Sequence, residues 1–118
     1  MKRFPFGIRP KHGNKKVKVD GMTFDSQREY SRWQDLKVKE KYGIITDLQR
    51  QVPYILAPAV KLNGRTKPAI RYYADFTYVE CGFKIIEDAK SPHLRKNPVY
   101  RLKKHLMMAV HSVEIREV

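Results

Sequence analysis

Long apolar runs are missing from this sequence. No stretch approaches the roughly 20 consecutive apolar residues that a membrane-spanning helix requires, and the basic N-terminus is not followed by the apolar segment of a secretory signal. The chain therefore reads as cytoplasmic, with no membrane partner. Cysteine is nearly absent as well. The single thiol, Cys81, excludes an internal disulfide, and four scattered histidines do not complete a structural zinc pattern with it. His12, His93, His105 and His111 are given no role beyond the surface, and Cys81 none beyond a turn.

Acidic residues are the third scarcity: 12 Asp and Glu stand against 25 Lys and Arg, a formal net charge of +13. Such a bias suits a polyanionic partner, through phosphate neutralisation and counterion release. Residues 1–18 carry seven basic side chains and no acidic one, and residues 90–104 carry six and none. Acids reappear between these blocks at Asp75, Glu80, Glu87 and Asp88. On composition alone, a solvated charged surface, a passive nucleic-acid binder and an enzyme acting on nucleic acid all fit.

With 118 residues, 42% of them hydrophobic and 31% charged, the chain has the size and composition of one folded domain. Residues 1–15 are rich in Lys, Arg, Pro and Gly without periodicity and read as a flexible basic arm; residues 16–118 read as a single domain. Asp20-Gly21 predicts a small hairpin within residues 17–24. Ser26 and Glu29 form a capping-box pattern, in which Ser26 caps a helix over about 26–42 and Glu29 reaches back to a backbone N–H at its start. Tyr30, Trp33, Leu36 and Val38 supply the apolar surface of that helix. Glu29 shares a face with Trp33 and Leu36, so it points toward the packed side. Gly43 stands where a left-handed residue ends it.

Residues 44–56 predict a strand, with Pro53 marking an edge or a bulge. Asn63-Gly64 predicts a type I′ turn between a strand ending near Leu62 and one running from Arg65 through Tyr78, with Pro58 and Pro68 weakening the outer part. A further strand over 83–90 follows the Cys81-Gly82 turn. Asn97 as cap and Pro98 at the first helical position open a second helix to about Val110, with an apolar stripe of Val99, Leu102, Leu106 and Val110. Residues 113–118 predict a last strand. The fold class is α/β: a mixed central sheet, an antiparallel meander plus a C-terminal strand, flanked by two main helices.

With Cys81 and Gly82 as the central turn residues, Asp75 faces Asp88 and Tyr73 faces Lys90. Two directly opposed carboxylates, about 5 Å apart, destabilise a sheet unless something compensates. A divalent cation compensates; Mg²⁺ accepts one or two carboxylates and keeps waters for substrate phosphate. Alternation places Lys90 on the face of Asp88, where its ammonium can orient or help deprotonate an attacking water. The other face, Tyr72, Ala74, Phe76, Tyr78, Ile85 and Ala89, reads as core, and Glu87 is a misfit on it.

Asp75 followed by Asp88-Ala89-Lys90 resembles the signature of the PD-(D/E)xK nuclease superfamily, with its restriction-endonuclease-like fold. The ordered segments Val19 to Ser26, Glu29, Gln51-Val52-Pro53, Tyr73 to Phe76 and Glu87 to Lys90 resemble a group of short phage and prophage proteins within it, over about residues 14–118. The resemblance implies Asp75 and Asp88 as metal ligands, Lys90 as catalytic lysine, Glu29 as the helix acid that completes or supports the metal site, and Gln51 near the active centre. Ala74 replaces the motif's proline, and Asp88 stands where Glu is commoner. It further implies Mg²⁺ or Mn²⁺, DNA as substrate, branched recombination or replication intermediates such as Holliday junctions, a homodimer, and a bacterial host cytoplasm for a phage-encoded protein.

Blander readings stand beside each of these. Glu29 is accounted for by the capping box alone, and Asp75, Asp88 and Lys90 by a structural salt-bridge cluster. Lys15, Lys16, Lys18, Arg95, Lys96, Arg101, Lys103 and Lys104 are read as phosphate contacts, or else as solvated charge. The rival function is a non-catalytic basic binder, a ribonucleoprotein or nucleoid component.

Overall fold

The computed structural model describes residues 15–118; the expected basic arm, apart from Lys15, lies outside the described residues. The chain runs β1 (Val17–Val19), β2 (Met22–Phe24), α1 (Gln27–Lys41), β3 (Ile45–Ala57), β4 (Val60–Leu62), β5 (Arg65–Lys67), β6 (Ile70–Glu80), β7 (Phe83–Asp88), α2 (Pro98–His111) and β8 (Arg116–Glu117). Among the described residues it is a mixed α/β architecture with two α-helices. Strands β3, β6, β7 and β8 form a sheet in that order. Its pairings are antiparallel except the last, where β8 returns after α2 to lie parallel to β7.

Local chemistry explains the turns. Cys81 and Gly82 adopt φ of 52° and 81°, the left-handed pair that a two-residue turn needs. The β6–β7 register follows: Phe76 pairs with Glu87, Tyr78 with Ile85 and Glu80 with Phe83, as the sequence predicts. The ladder ends one pair before Asp75 and Asp88. Ser26 caps α1 by accepting the Glu29 N–H at 3.1 Å, and Asn97 caps α2 by accepting from Val99 and Tyr100 at 2.9 and 3.1 Å. Strand β3 is the edge strand that Pro53 requires.

Two apolar clusters hold the helices. Leu36 of α1 packs with Ile45, Phe76 and Tyr78, and Trp33 and Ile85 join them. Tyr100 and Met107 of α2 pack with Leu56, Tyr72, Ala74, Ile86 and Ile115. Neighbours Ile85 and Ile86 enter different clusters, so the two helices lie on opposite faces of the sheet. On β6 the allegiance changes between Ala74 and Phe76, which corrects the expectation of one continuous core face. Opposite the change, between the pairs Arg50–Phe76 and Val52–Ala74, Gln51 has φ 51°, a left-handed residue within a stretch of unshifted register.

Three expectations fail in detail. The strand predicted from Arg65 through Tyr78 is broken at Pro68, leaving β4 and β5 as a separate two-stranded ribbon. Val38 is exposed. The stripe assigned to α2 is displaced: Val99, Leu102 and Val110 are 61%, 59% and 51% exposed, while Tyr100 and Met107 are buried. Tyr100 turns inward because its hydroxyl donates to Glu117 of β8 at 2.7 Å, a tertiary partner that helical periodicity does not reveal.

Glu87 is fully buried. The Arg32 guanidinium meets its carboxylate with two N–H groups, and the Tyr78 hydroxyl donates to it. Alternation thus places Glu87 on the α1 face correctly, and Arg32 makes the charge tolerable there.

Candidate active site

Asp75 lies where β6 changes faces, Asp88 at the end of β7, Gln51 on the edge strand β3, and Glu29 in the first turn of α1. All three acids are buried, with exposures of 7%, 1% and 2% for Asp75, Asp88 and Glu29. An amide joins two of them: Gln51 Nε2 donates to Asp75 Oδ1 at 3.1 Å and to Glu29 Oε1 at 3.2 Å. Asp75 Oδ2 accepts the Ala89 N–H at 2.9 Å, which fastens it to the segment beyond β7. The left-handed Gln51 backbone is strained for a residue with a Cβ, a condition that recurs at functional sites.

Glu29 Oε2 accepts from the Asp25 N–H at 3.0 Å, completing the reciprocal cap one residue earlier than Ser26. Its Oε1 also meets Arg50 Nη2 at 3.4 Å. Sequence reading overlooked Arg50, which lies over the Phe24 ring at 4.0 Å and donates to the Thr23 carbonyl at 2.9 Å. Its adjacency to Gln51 was the available signal. The capping box therefore describes Glu29, which caps α1 while its other carboxylate oxygen accepts from the Gln51 amide.

Asp88 is different. Both of its carboxylate oxygens are buried without a well-formed hydrogen bond; Lys90 Nζ lies 3.4 Å from Oδ2, and the Asp75 carboxyl and Tyr72 hydroxyl are close enough to interact with it. The Tyr72 hydroxyl is likewise buried without a formed hydrogen bond; burial, and then the Asp88 charge, hold it protonated. Burial first and Asp88 second push the Asp75 carboxyl up to about 8, and burial followed by Asp75 raises Glu29.

Lys90 is fixed through its backbone. Its N–H donates to the Val118 carbonyl at 3.1 Å, and its carbonyl accepts from Arg95 Nε at 2.9 Å. Its ammonium lies 5.2 Å from the centre of the Tyr100 ring. Two clefts flank this segment. One of about 320 Å³ is lined by Tyr72, Tyr73, Asp88, Lys90, Tyr100 and Lys103, among others. The other, about 400 Å³, is lined by Lys15, Gln27, Arg28, Ala89 and Ser91, among others. Asp88 and Lys90 thus line the first cleft, and the basic N-terminal side lines the second.

The remaining predicted phosphate contacts are spread out. Lys16 and Lys18 are exposed near β1, and Lys96 is exposed on the 3-10 turn before α2. Arg95 spends its Nε on Lys90, and Lys104 pairs with Glu117 at 3.3 Å. Arg101 lines a separate hollow with Leu102 and His105. Among the described residues, no group of three or more His, Cys, Asp or Glu is gathered closely enough to hold a metal ion. The carboxylates that do meet are Asp75 and Asp88, with Glu29 joined through Gln51.

The fold and site define an α/β domain with a buried acidic centre beside a lysine. The chain belongs to the family described as "Protein of unknown function (DUF1064)", whose model matches residues 9–116. Neither the curated proteins nor the solved structures include a match to it.

Proposed function

We propose that this protein is a metal-dependent nuclease of restriction-endonuclease-like fold that hydrolyses phosphodiester bonds in DNA. The observation that carries the reading is the Asp88 carboxylate, buried beside Asp75 and Lys90 with neither oxygen in a well-formed hydrogen bond. A buried carboxylate whose one ion pair is an ammonium at 3.4 Å and whose oxygens lack well-formed hydrogen bonds is costly, and a hard cation would satisfy both oxygens. Asp75 and Asp88 would hold Mg²⁺ or Mn²⁺, which supplies charge neutralisation at the scissile phosphate and a more acidic bound water. A pair of carboxylates suffices for Mg²⁺, which takes the rest of its shell from water and phosphate.

The chain's own residues supply the rest. Gln51 and the Ala89 N–H hold the Asp75 oxygens in place, as the outer groups of a metal site do. Lys90 orients the attacking water and stabilises negative charge building on the phosphate oxygens. Tyr72, Tyr73 and Tyr100 wall the cleft that Asp88 and Lys90 also line. By resemblance, branched DNA is the favoured substrate, and a junction-cutting enzyme works as a dimer.

A non-catalytic binder is the second reading, favoured by one observation: three carboxylates do not converge on one point among the described residues. Labelled linear, single-stranded and four-way-junction DNA, incubated with Mg²⁺, Mn²⁺ or chelator, separates the two. Cleavage that needs the metal and vanishes in Asp75→Asn, with DNA binding retained or strengthened, is expected. Metal-independent binding of every substrate without cleavage would instead establish the binder.

A further inference from the structure

Strands β4 and β5 build nothing into the core. Residues 58–68 are all exposed, on both faces of the ribbon. A short hairpin that buries no apolar surface is at best marginally stable by itself, so its regular pairing, Val60–Lys67, Lys61–Thr66 and Leu62–Arg65, does not serve packing. Its turn is narrow, with Asn63 and Gly64 at φ 52° and 74°, and Pro58 and Pro68 stiffen its two stems.

The charge on this ribbon has one sign. Lys61, Arg65 and Lys67 lie on it and Arg71 at its base, and no acidic side chain occurs between Asp47 and Asp75. None of the four cations takes part in an ion pair or side-chain hydrogen bond among the described residues. By register, Val60 and Leu62 share a face with Arg65 and Lys67, and Lys61 and Thr66 occupy the other.

We propose that the β4–β5 ribbon is a second DNA contact, lying in a groove of the duplex that flanks the segment held at Asp75 and Asp88. The occupant, though not the charge argument, rests on the nuclease reading above. A two-stranded ribbon fits the major groove, which is about 12 Å wide. Cations on both faces meet the two phosphate walls, while Val60 and Leu62 offer apolar contact to sugars and thymine methyl groups. Reach permits this. Ten residues separate Arg65 from Asp75, so the two lie at most about 33 Å apart at the strand rise per residue, within the roughly 34 Å of one duplex turn. A second copy of this chain fits worse, because a two-fold contact would oppose the same unpaired cations.

The test uses the full chain carrying Asp75→Asn, so that DNA is bound without being cut, with and without Lys61→Ala, Arg65→Ala and Lys67→Ala together. Binding to a 30-base-pair duplex is followed by fluorescence anisotropy across a salt series, with Tm and circular dichroism confirming the fold. The slope of log K against log salt is expected to fall by about 3, and low-salt affinity by at least about 10-fold. An unchanged slope and affinity overturn the ribbon proposal and leave the nuclease reading standing. Absence of duplex binding by both proteins overturns the ribbon proposal, and a four-way junction in the same titration then decides the nuclease reading, which fails if that is not bound either. Unchanged DNA binding with a dimer lost on sedimentation assigns the ribbon to self-association and also overturns the proposal. If the triple variant does not fold, Lys67→Glu alone is read the same way, as an affinity loss without a change in Tm.

Discussion

The Arg32 guanidinium of α1 grips Glu87 of β7 through two parallel contacts, Nε to Oε1 at 2.7 Å and Nη2 to Oε2 at 2.9 Å. Glu87 Oε2 also accepts the Tyr78 hydroxyl. One helix is thereby tied to the strand that ends at Asp88. Bidentate geometry and a third donor make this a satisfied buried pair, yet losing one member strands a charge with no access to water. Arg32→Ala is expected to cost about 3–5 kcal/mol in chemical denaturation. Arg32→Met combined with Glu87→Leu should recover part of that loss, since both charges are gone, while the buried Tyr78 hydroxyl loses its acceptor.

The acid pair should be visible in metal-free stability. Asp75 is pushed to about 8 from a reference of 3.8, so the folded protein keeps a proton that the unfolded chain releases. Between these two values the native state binds more protons, and stability falls as pH rises, levelling off above about 8. In chelator, Tm at pH 8 is expected to lie below Tm at pH 5, and the gap should narrow in Asp75→Asn. Added Mg²⁺ should raise Tm more at pH 8 than at pH 5; equal effects at both would argue against a cation replacing the proton.

Gln51 offers a test of positioning rather than ligation. Its amide is the link between Glu29 and Asp75, and its removal leaves Asp75 held by the Ala89 N–H alone and Glu29 by the Asp25 N–H and Arg50. Gln51→Ala is expected to lower cleavage by about 10- to 100-fold, with a rise in the Mg²⁺ concentration needed for half-maximal rate. An unchanged metal requirement would make the bridge purely structural.

Lys90 should separate chemistry from binding. Lys90→Ala is expected to reduce the single-turnover cleavage rate by at least about 10²-fold, while DNA affinity changes by no more than one cation's share. Equal losses in rate and affinity would reassign Lys90 to phosphate binding.

The displaced stripe on α2 predicts opposite responses on two faces. Met107→Ala should cost about 2–5 kcal/mol, because Met107 is wholly buried. Val99→Ser and Leu102→Ser, at exposed positions, should each change stability by about 0.5 kcal/mol or less. Denaturant midpoints for the three variants check the assignment.

Where turn chemistry was explicit, the sequence was readable. Cys81-Gly82 set the β6–β7 register and so brought Asp75 and Asp88 to the end of one hairpin; Ser26 and Asn97 marked both helix starts. What escaped notice depended on distant partners. Periodicity puts Val99 and Tyr100 on neighbouring angles of a helix, and only Glu117 decides which turns inward. Likewise, Glu87 looked out of place until Arg32, far away in the chain, met it. The change of face at Asp75 lies opposite the left-handed Gln51, for which Gln carries no local signal.

The clasp between Val118 and the end of β7 has a kinetic corollary. Val118 accepts from the Lys90 N–H and donates its own N–H to the Asp88 carbonyl at 3.0 Å, so the amine's anchor arrives only after α2 has docked. Long-range closures of this sort form late because their entropy must be met first. A meander folded without its parallel neighbour would leave both Asp88 and the ammonium without their clasp, so competence to cut should mature after the bulk of the sheet.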